Sequence, residues 1–143
     1  MSQKSARIAN LIQSFQGRDY DARYLGFFDC FNRQLFYEAH EVLEDLWLTD
    51  KQGANGDFYK GLIQLAGAFV HLQKDRLRPA AALLRLARTN FTKQPARHEG
   101  LNLTEVIRLI EHWLHTLEAG QFARNPLTAT NAPRLTPAPQ AKP

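Results

Sequence analysis

The residues best suited to chemistry in this sequence lie within one short stretch: His40, Glu41 and Glu44, in the order H-E-x-x-E. The order approaches H-E-x-x-H, in which two histidines one helical turn apart bind zinc and the glutamate polarises a water molecule. Here Glu44 stands in place of the second histidine, so a three-ligand site needs one more ligand, for which His71 is the candidate. As one alternative, the stretch therefore predicts a divalent-metal site formed by His40, Glu44 and His71.

Helical periodicity places these side chains on different faces. With about 100° between successive residues, His40 falls on the apolar face that begins at Phe36, while Glu41 turns away toward solvent. Glu44 lies one turn beyond His40 and near Tyr37, at the edge of the apolar face. An imidazole and a carboxylate at this spacing can form a hydrogen-bonded pair or act as paired ligands.

A second polar strip lies on the next helix, where Gln64 and His71 are seven residues apart and therefore nearly aligned. Gly67 between them permits close approach of a neighbouring helix. If the two strips face each other, the polar cluster consists of His40, Glu44, Gln64 and His71, with Tyr37 and Trp47 beside it. Such a cluster satisfies its own hydrogen bonds, or holds a metal ion with Glu41 or Gln64 handling water, or holds an organic ligand without metal.

The elements that must position these residues are all helical. Apolar residues recur at helical spacing, and no segment alternates convincingly as a strand does. The predicted helices are one over 5–16, a second capped by Asp21 and ending at Asn32, a third from Leu35 to Leu48, a central one from Phe58 to Lys74 capped by Asp57, a fifth with Pro79 in its first turn and Leu83, Leu84, Leu86, Ala87 and Phe91 in its buried stripe, and a last one capped by Asn102 and ending at Ala119. The sequence predicts an all-α bundle of about four core helices with an extra N-terminal helix.

The composition changes at residue 121. Residues 121–143 contain five of the seven prolines, three basic residues and no acidic residue. Such a segment has too few apolar residues to bury a core of its own. We therefore predict one helical-bundle domain over residues 1–120, followed by a disordered proline-rich tail.

The formal net charge of +4 is poor evidence for nucleic-acid binding, because the tail supplies three of the excess positive charges. Charge within the helices is more polarised, with six acids in 38–57 and seven bases in 74–97. Two solvated faces that attract each other within or between subunits are the main interpretation, which leaves a homo-oligomer open. Weak nucleic-acid binding by the fifth helix and its surroundings is the lesser alternative, through Arg76, Arg78, Arg85, Arg88, Lys93 and Arg97.

The single cysteine, Cys30, excludes a disulfide framework and a cysteine-rich zinc module. Its aromatic surroundings favour a buried, unreactive thiol in a reducing compartment. No apolar run approaches the roughly 20 residues of a bilayer span, and the first ten residues lack the apolar core of a signal peptide. We therefore expect a cytoplasmic protein without a membrane partner.

Two stretches resemble a known family: F-N-R-Q-L-F-Y-E-A-H-E-V-L-E-D-L-W over residues 31–47, and F-Y-K-G-L-I-Q-L-A-G-A-F-V-H over residues 58–71. They are similar to the signature of the bacterial and archaeal family called domain of unknown function 309. The resemblance covers about residues 22–92, with the remainder to 119 compatible, and implies a small all-helical bundle with no established activity. The family's motif positions fall on Glu38, His40, Glu41, Glu44, Trp47, Gly61, Gln64 and His71. Gln34 stands in the turn before the motif, where the resemblance leads us to expect a small residue, often glycine.

These features predict a binding or interaction module that acts through an inward His/Glu/Gln cluster. The alternative from another class is a metal-dependent hydrolase, with His40, Glu44 and His71 as ligands and Glu41 and Gln64 as catalytic candidates. A divalent metal is the one cofactor that the residues suggest. No set of residues selects one substrate over another.

Overall fold

The computed structural model describes residues 3–140, and within them it contains six α-helices and one very short hairpin. The helices are α1 (Gln3–Ile12), α2 (Ala22–Asn32), α3 (Phe36–Asp50), α4 (Gly56–Gln73), α5 (Leu77–Thr92) and α6 (Leu103–Ala119), with a 3-10 turn at Gln13–Phe15. The strands β1 (Arg97–His98) and β2 (Leu101–Asn102) pair antiparallel between α5 and α6. The predicted all-α class is confirmed. No helix in this part of the chain has both the length and the apolar character to cross a bilayer.

Polar side chains set several of the helix boundaries. Asp21 caps α2 by accepting a hydrogen bond from the backbone N of Arg23 at 2.8 Å. Asn102 caps α6 in the same way, accepting from the backbone N of Glu105 at 3.3 Å. The prediction that Asp57 caps α4 is wrong. The helix begins at Gly56, so Asp57 lies in its first turn. A carboxylate there still interacts favourably with the positive end of the helix.

The turn between α2 and α3 has a left-handed residue, Gln34, with φ of 63°. A side chain with a Cβ is disfavoured in this conformation, whereas glycine adopts it without penalty. This geometry explains why a small residue is expected in the turn before the motif.

The core lies between consecutive helices, with α4 packed between α3 and α5. Phe31, Phe36 and Phe69 are fully buried there. The rings of Phe31 and Phe36 meet edge to face with centroids 5.1 Å apart. Such aromatic pairs stabilise a core by about 0.5–1.5 kcal/mol beyond the area that they bury. The apolar circumference of α4 is therefore enclosed by its neighbours, which gives the central position that the sequence predicts.

α1 packs outside this core. Its Ile8 and Ile12 form a separate apolar cluster with Ala22 of α2 and Val42 of α3. Gly26 of α2 makes the contact close, since a Cβ at that position would lie 2.7 Å from Ile12 Cγ2. α1 therefore covers a face of α3 that α3 alone would leave open to solvent.

The predicted disorder of the C-terminal tail is not confirmed over residues 121–140, and the rest of that prediction, at 141–143, lies outside the described residues. Asn32 exchanges two hydrogen bonds of 2.7 Å with the backbone of Leu135. Backbone N–H and C=O groups pair well in extended chain whatever the side chains are. The composition of the tail therefore did not reveal how it docks.

Further contacts extend this docking toward the chain's end. The Tyr20 hydroxyl donates a hydrogen bond to the backbone O of Ala138 at 2.7 Å. The backbone N of Ala138 in turn donates to the backbone O of Gly100 at 2.8 Å. Leu127 and Leu135 add apolar contacts with the core. The segment thus joins α2, the hairpin and the core.

Candidate functional site

A cavity of about 480 Å³ lies between α3, α4 and α5. It is lined by Tyr37 and His40 of α3, by Lys60, Ile63, Gln64, Gly67, Val70 and His71 of α4, and by Leu83 and Leu86 of α5. The structure therefore brings Tyr37, His40, Gln64 and His71 to one place. Glu44 and Trp47 lie beside this group without lining the cavity.

His40 forms the α3 side of the cavity and is half-buried. Its Nε2 lies 3.4 Å from Glu44 Oε2, and Lys4 of α1 donates a hydrogen bond to the other oxygen, Glu44 Oε1, at 3.4 Å. Burial lowers the pKa of His40 below its ordinary value, because the charged imidazolium loses solvation there. The Glu44 carboxylate opposes this shift, while the charges of Lys4 and Lys60 reinforce it.

Gln64 and His71 form the α4 side. Gln64 Oε1 accepts a hydrogen bond from Asn90 Nδ2 of α5 at 2.8 Å. Burial lowers the pKa of His71, and the positive charges of Arg76 and Lys74 act in the same direction. Both histidines of the cavity are therefore neutral at neutral pH.

Each histidine carries a buried nitrogen without a partner. Within the described part of the chain, Nδ1 of His40 and Nδ1 of His71 are the buried side-chain polar atoms that lack a hydrogen bond. A buried polar atom left unpaired costs about 1–3 kcal/mol, and native proteins pair the great majority of such atoms. Two residues that line the cavity therefore each have a nitrogen whose hydrogen-bonding capacity the described chain leaves unused.

Lys60 lines the cavity next to Trp47. Its Nζ lies 4.4 Å from the centroid of the Trp47 ring, and Lys51 Nζ approaches the same ring at 5.8 Å. The inward position predicted for Trp47 is only partly realised, because the ring is half-buried. Lysine stems pack on apolar surface while their charges stay near water, so two of them cover the ring without placing it in the core.

Glu41 is buried, which contradicts the prediction that it turns toward solvent. Its side chain is 6% exposed, and Arg7 of α1 donates to both carboxylate oxygens at 2.6 Å. The physical reason is that α1 covers this face of α3, and the periodicity of α3 says nothing about where another helix docks. Glu41 therefore serves an ion pair and does not face the cavity as a general base.

The three-ligand metal site is not assembled. Among residues 3–140, no three His, Cys, Asp or Glu side chains lie close enough together to hold a metal ion. Glu44 faces His40 and Lys4. His71 lies on α4, and no carboxylate lines the cavity beside it. The predicted set of His40, Glu44 and His71 thus does not converge on one point.

Part of the basic face of α5 is engaged within the chain. Arg85 pairs with Glu118 of α6 at 3.3 Å, and Lys93 pairs with Asp57 of α4 at 3.4 Å. The second of these pairs joins the acidic stretch 38–57 to the basic stretch 74–97, whereas Glu118 lies outside the acidic stretch. They leave fewer free cations for a phosphate backbone than the sequence alone suggests.

Cys30 is fully buried in α2. Loss of solvation raises the pKa of its thiol to about 11. The thiol is therefore protonated at neutral pH and inaccessible to a substrate, which fits the expected unreactive cysteine.

Six lining residues were not among the predicted site residues: Lys60, Ile63, Gly67, Val70, Leu83 and Leu86. Lys60 precedes Gln64 by four positions and His71 by eleven, so helical spacing does place all three on one stripe. Leu86 was expected in the buried stripe of α5 but is 52% exposed, and Leu83 is half-buried. Apolar periodicity does not distinguish the wall of a cavity from a core, which is why these leucines were assigned inward.

Residues 24–89 match the model of the family described as "Domain of unknown function (DUF309)". The match covers 66 of the chain's 143 residues. An uncharacterized protein of Aquifex aeolicus (strain VF5) is 32% identical over 85 residues, which are 59% of this chain and 26% of the relative. The chain thus spans about a quarter of the length of that curated relative. No solved structure matches the chain significantly.

The DUF309 segment supplies the whole lining of the cavity, since every lining residue from Tyr37 to Leu86 lies within residues 24–89. Lys4 and Arg7, which hold Glu44 and Glu41, lie before that segment. The cavity is therefore a feature of the DUF309 segment, while α1 adds contacts on the outer side of α3.

Gly61 is the motif position that sets the distance between α4 and α5 in this segment. A Cβ at Gly61 would lie 2.9 Å from Cε1 of Phe91, which is fully buried. Only a residue without a side chain lets that ring approach α4 so closely. Gly61 therefore helps to place the α5 wall of the cavity.

Proposed function

We propose that the protein is a binding module that holds a small organic molecule in the cavity between α3, α4 and α5. The observation that carries the proposal is the convergence of His40, Gln64 and His71 on one largely apolar cavity of about 480 Å³. Small-molecule sites typically measure roughly 300–1,000 Å³ and combine apolar walls with a few polar groups that orient the ligand.

The apolar walls supply the affinity in this proposal. Ile63 and Val70 of α4 line the cavity together with Leu83 and Leu86 of α5. A ligand ring or chain lying between them removes apolar surface from water, at about 25 cal/mol for each square ångström buried. The exposed part of Leu86 is included in that surface.

The polar groups supply the orientation. His40 and His71 each have a buried Nδ1 without a partner, and burial lowers the pKa of both. Titratable groups that are perturbed by burial and grouped at a cavity are typical of functional sites. A ligand that hydrogen-bonds to these imidazoles would form bonds that the free protein does not make.

A purely structural network is the competing interpretation. It would require the members of the cluster to satisfy one another, as buried polar groups usually do. Gln64 pairs with Asn90 instead, and the two Nδ1 atoms pair with nothing in the described chain. The arrangement therefore favours a bound ligand over a closed network.

Imidazole NMR of the full chain tests the proposal. The probes are naphthylmethanol, naphthoate and naphthylmethylamine, which share one ring system and differ in their polar group. At millimolar concentration we expect at least one probe to shift the ring signals of His40 and His71, while those of His112 and His115 on the exposed face of α6 stay in place.

Two glycine variants locate the binding. Gly67→Leu places a side chain in the cavity, next to Leu83, and should abolish the shifts. Gly120→Leu adds the same side chain at an exposed position after α6 and should retain them. Shifts that persist in a folded Gly67→Leu variant, or the absence of shifts with all three probes, would contradict the proposal.

A further inference from the structure

We infer that the molecule held in the cavity is an apolar carboxylate, with its charged end at Lys60 and Gln64 and its apolar part against Val70, Leu83 and Leu86. This inference rests on the proposed small-molecule site and names the class of ligand for it. Charge and hydrogen-bonding capacity of the lining support it separately.

The charge of the lining is positive. Lys60 lines the cavity, and no Asp or Glu of the described chain does so. Two glutamates of α3 are engaged by α1: Glu41 pairs with Arg7 away from the cavity, and Glu44, which lies beside His40, pairs with Lys4. An ammonium group beside apolar walls, with no carboxylate in the same lining, attracts an anion and repels a cation.

The hydrogen-bonding atoms left for a ligand are mainly donors. Asn90 occupies Gln64 Oε1 at 2.8 Å, so the N–H groups of the Gln64 amide remain. Lys60 offers three further N–H donors. Each neutral imidazole has one donor and one acceptor nitrogen, and with Glu44 beside Nε2 of His40 the unpaired Nδ1 of that ring is the acceptor. An ionised carboxylate is acceptor-only and forms stronger bonds with such donors than a neutral group does.

The Lys60 ammonium has a different contact when the cavity holds no ligand. Without ligand, its Nζ lies over the Trp47 ring at 4.4 Å. A carboxylate in the cavity draws the ammonium away from the ring, which changes the surroundings of the Trp47 indole. Trp113, by contrast, packs edge-on against Phe69 at 5.0 Å and does not line the cavity.

Titration calorimetry of the full chain with the three naphthyl probes tests the class of ligand. We expect naphthoate to bind about tenfold more tightly than naphthylmethanol, on the scale of one charge-assisted hydrogen bond. Naphthylmethylamine should bind most weakly, because its ammonium meets Lys60. In parallel NMR spectra, naphthoate should shift the indole N–H signal of Trp47 more than that of Trp113, with Trp47→Phe identifying the signal.

Two lysine variants test the residue. Lys60→Met keeps an unbranched stem and removes the charge, so the preference for naphthoate over naphthylmethanol should disappear. Lys51→Met is the matched control, because Lys51 also approaches Trp47 but does not line the cavity. It should keep the preference.

The outcomes separate this inference from the proposed function. Equal affinities for naphthoate and naphthylmethanol, with His40 and His71 signals still shifting, would overturn the carboxylate class and leave the binding site standing. No binding of any probe would overturn both. A preference that survives in folded Lys60→Met would overturn the assignment of Lys60, and the three-probe comparison in the wild type decides the class even where a variant fails to fold.

Discussion

Arg7 of α1 donates hydrogen bonds to both carboxylate oxygens of Glu41 on α3, each at 2.6 Å. The Glu41 side chain is 6% exposed and that of Arg7 is 48% exposed, so the pair joins a buried anion to a cation that still meets water. Removal of the cation leaves the carboxylate buried without compensation, which is costly in a protein interior. Glu41 therefore ties the stability of α3 to the docking of α1.

We expect Arg7→Met and Lys4→Met both to lower the urea midpoint of unfolding, and the decrease for Arg7→Met to be several times the decrease for Lys4→Met. The reason is that the partner of Lys4, Glu44, is about 30% exposed and stays partly solvated when its lysine is lost. Chemical denaturation followed by circular dichroism measures both. Because Glu41→Gln removes the uncompensated charge, the double variant with Arg7→Met should recover part of the loss. Equal midpoints for the two single variants would contradict the burial of Glu41.

Stability should fall as the pH drops through the range of the cavity histidines. Burial holds the pKa of His40 and of His71 below the ordinary 6.5, so the unfolded chain binds protons at a higher pH than the folded chain does. Unfolding therefore becomes easier as the pH falls from about 7.5 to about 5.5. The charged groups that act on these rings are Glu44, Glu41, Lys4 and Lys60 for His40, and Arg76 and Lys74 for His71.

Urea midpoints across that pH range measure this dependence. The variant with both His40→Gln and His71→Gln should show a flatter profile than the wild type. The matched control replaces His112 and His115, which are exposed on α6, and should keep the wild-type slope. An unchanged slope in the cavity variant would show that these two rings do not titrate differently in the folded and unfolded states.

Two glycines of α4 should respond to alanine in opposite directions. At Gly67, a Cβ would lie 3.1 Å from Leu83 Cδ1, the flexible end of a half-buried side chain that can yield. Gly67→Ala should therefore raise stability by about 0.5–1 kcal/mol through helix propensity. Gly61→Ala meets the buried Phe91 ring at 2.9 Å and should lower stability by about 1–3 kcal/mol through overpacking. In urea denaturation, a gain in stability for Gly61→Ala would contradict the close contact at Gly61, and a loss for Gly67→Ala would show that Leu83 does not yield.

Gln34→Gly should stabilise the protein. The left-handed φ of 63° at Gln34 penalises a side chain, whereas the extra freedom of glycine in the unfolded chain offsets part of the gain, leaving about 0.5–1 kcal/mol. Gln34→Ala is the control, because it shortens the side chain and keeps the Cβ. A gain in thermal midpoint with alanine equal to that with glycine would show that backbone conformation is not the cause.

The C-terminal segment should lose its protection when Asn32 is replaced. Asn32 accepts from the backbone N of Leu135 and donates to its backbone O, so Asn32→Ala removes both bonds at a net cost of about 1–3 kcal/mol. Hydrogen exchange should then accelerate at the Leu135 amide, more than it does in Tyr20→Phe, which removes one hydroxyl bond to Ala138. If the Leu135 amide exchanges at the rate of an unfolded chain in the wild type, the tail is disordered as its composition predicts.

Local signals allowed much of the helical architecture to be predicted. The caps at Asp21 and Asn102 are encoded by side chains within a few residues of the helix that they begin, and the apolar circumference of α4 indicated its central position. The seven-residue spacing of Gln64 and His71 put both on one stripe. These relationships depend on residues close together in the chain.

What the sequence did not reveal depends on contacts between distant residues. The sequence predicts a solvated Glu41 because no residue near it indicates that Arg7 docks there. It predicts a buried Leu86 because apolar periodicity is the same for a residue in the core and for one in a cavity wall. The C-terminal segment docks through backbone atoms, which composition does not describe. The cytoplasmic location and the homo-oligomer stay predictions.

Asn32 and its partner Leu135 are 103 positions apart in the chain, whereas each of the helices α2 to α5 packs against the next one along the chain. Neighbouring helices meet after closing short loops, while the contact at Leu135 must close a loop of most of the chain. The helical core can therefore assemble first, with the C-terminal segment joining last. During synthesis on the ribosome, the Asn32 side chain cannot form these two bonds until residue 135, 103 positions later, has been made.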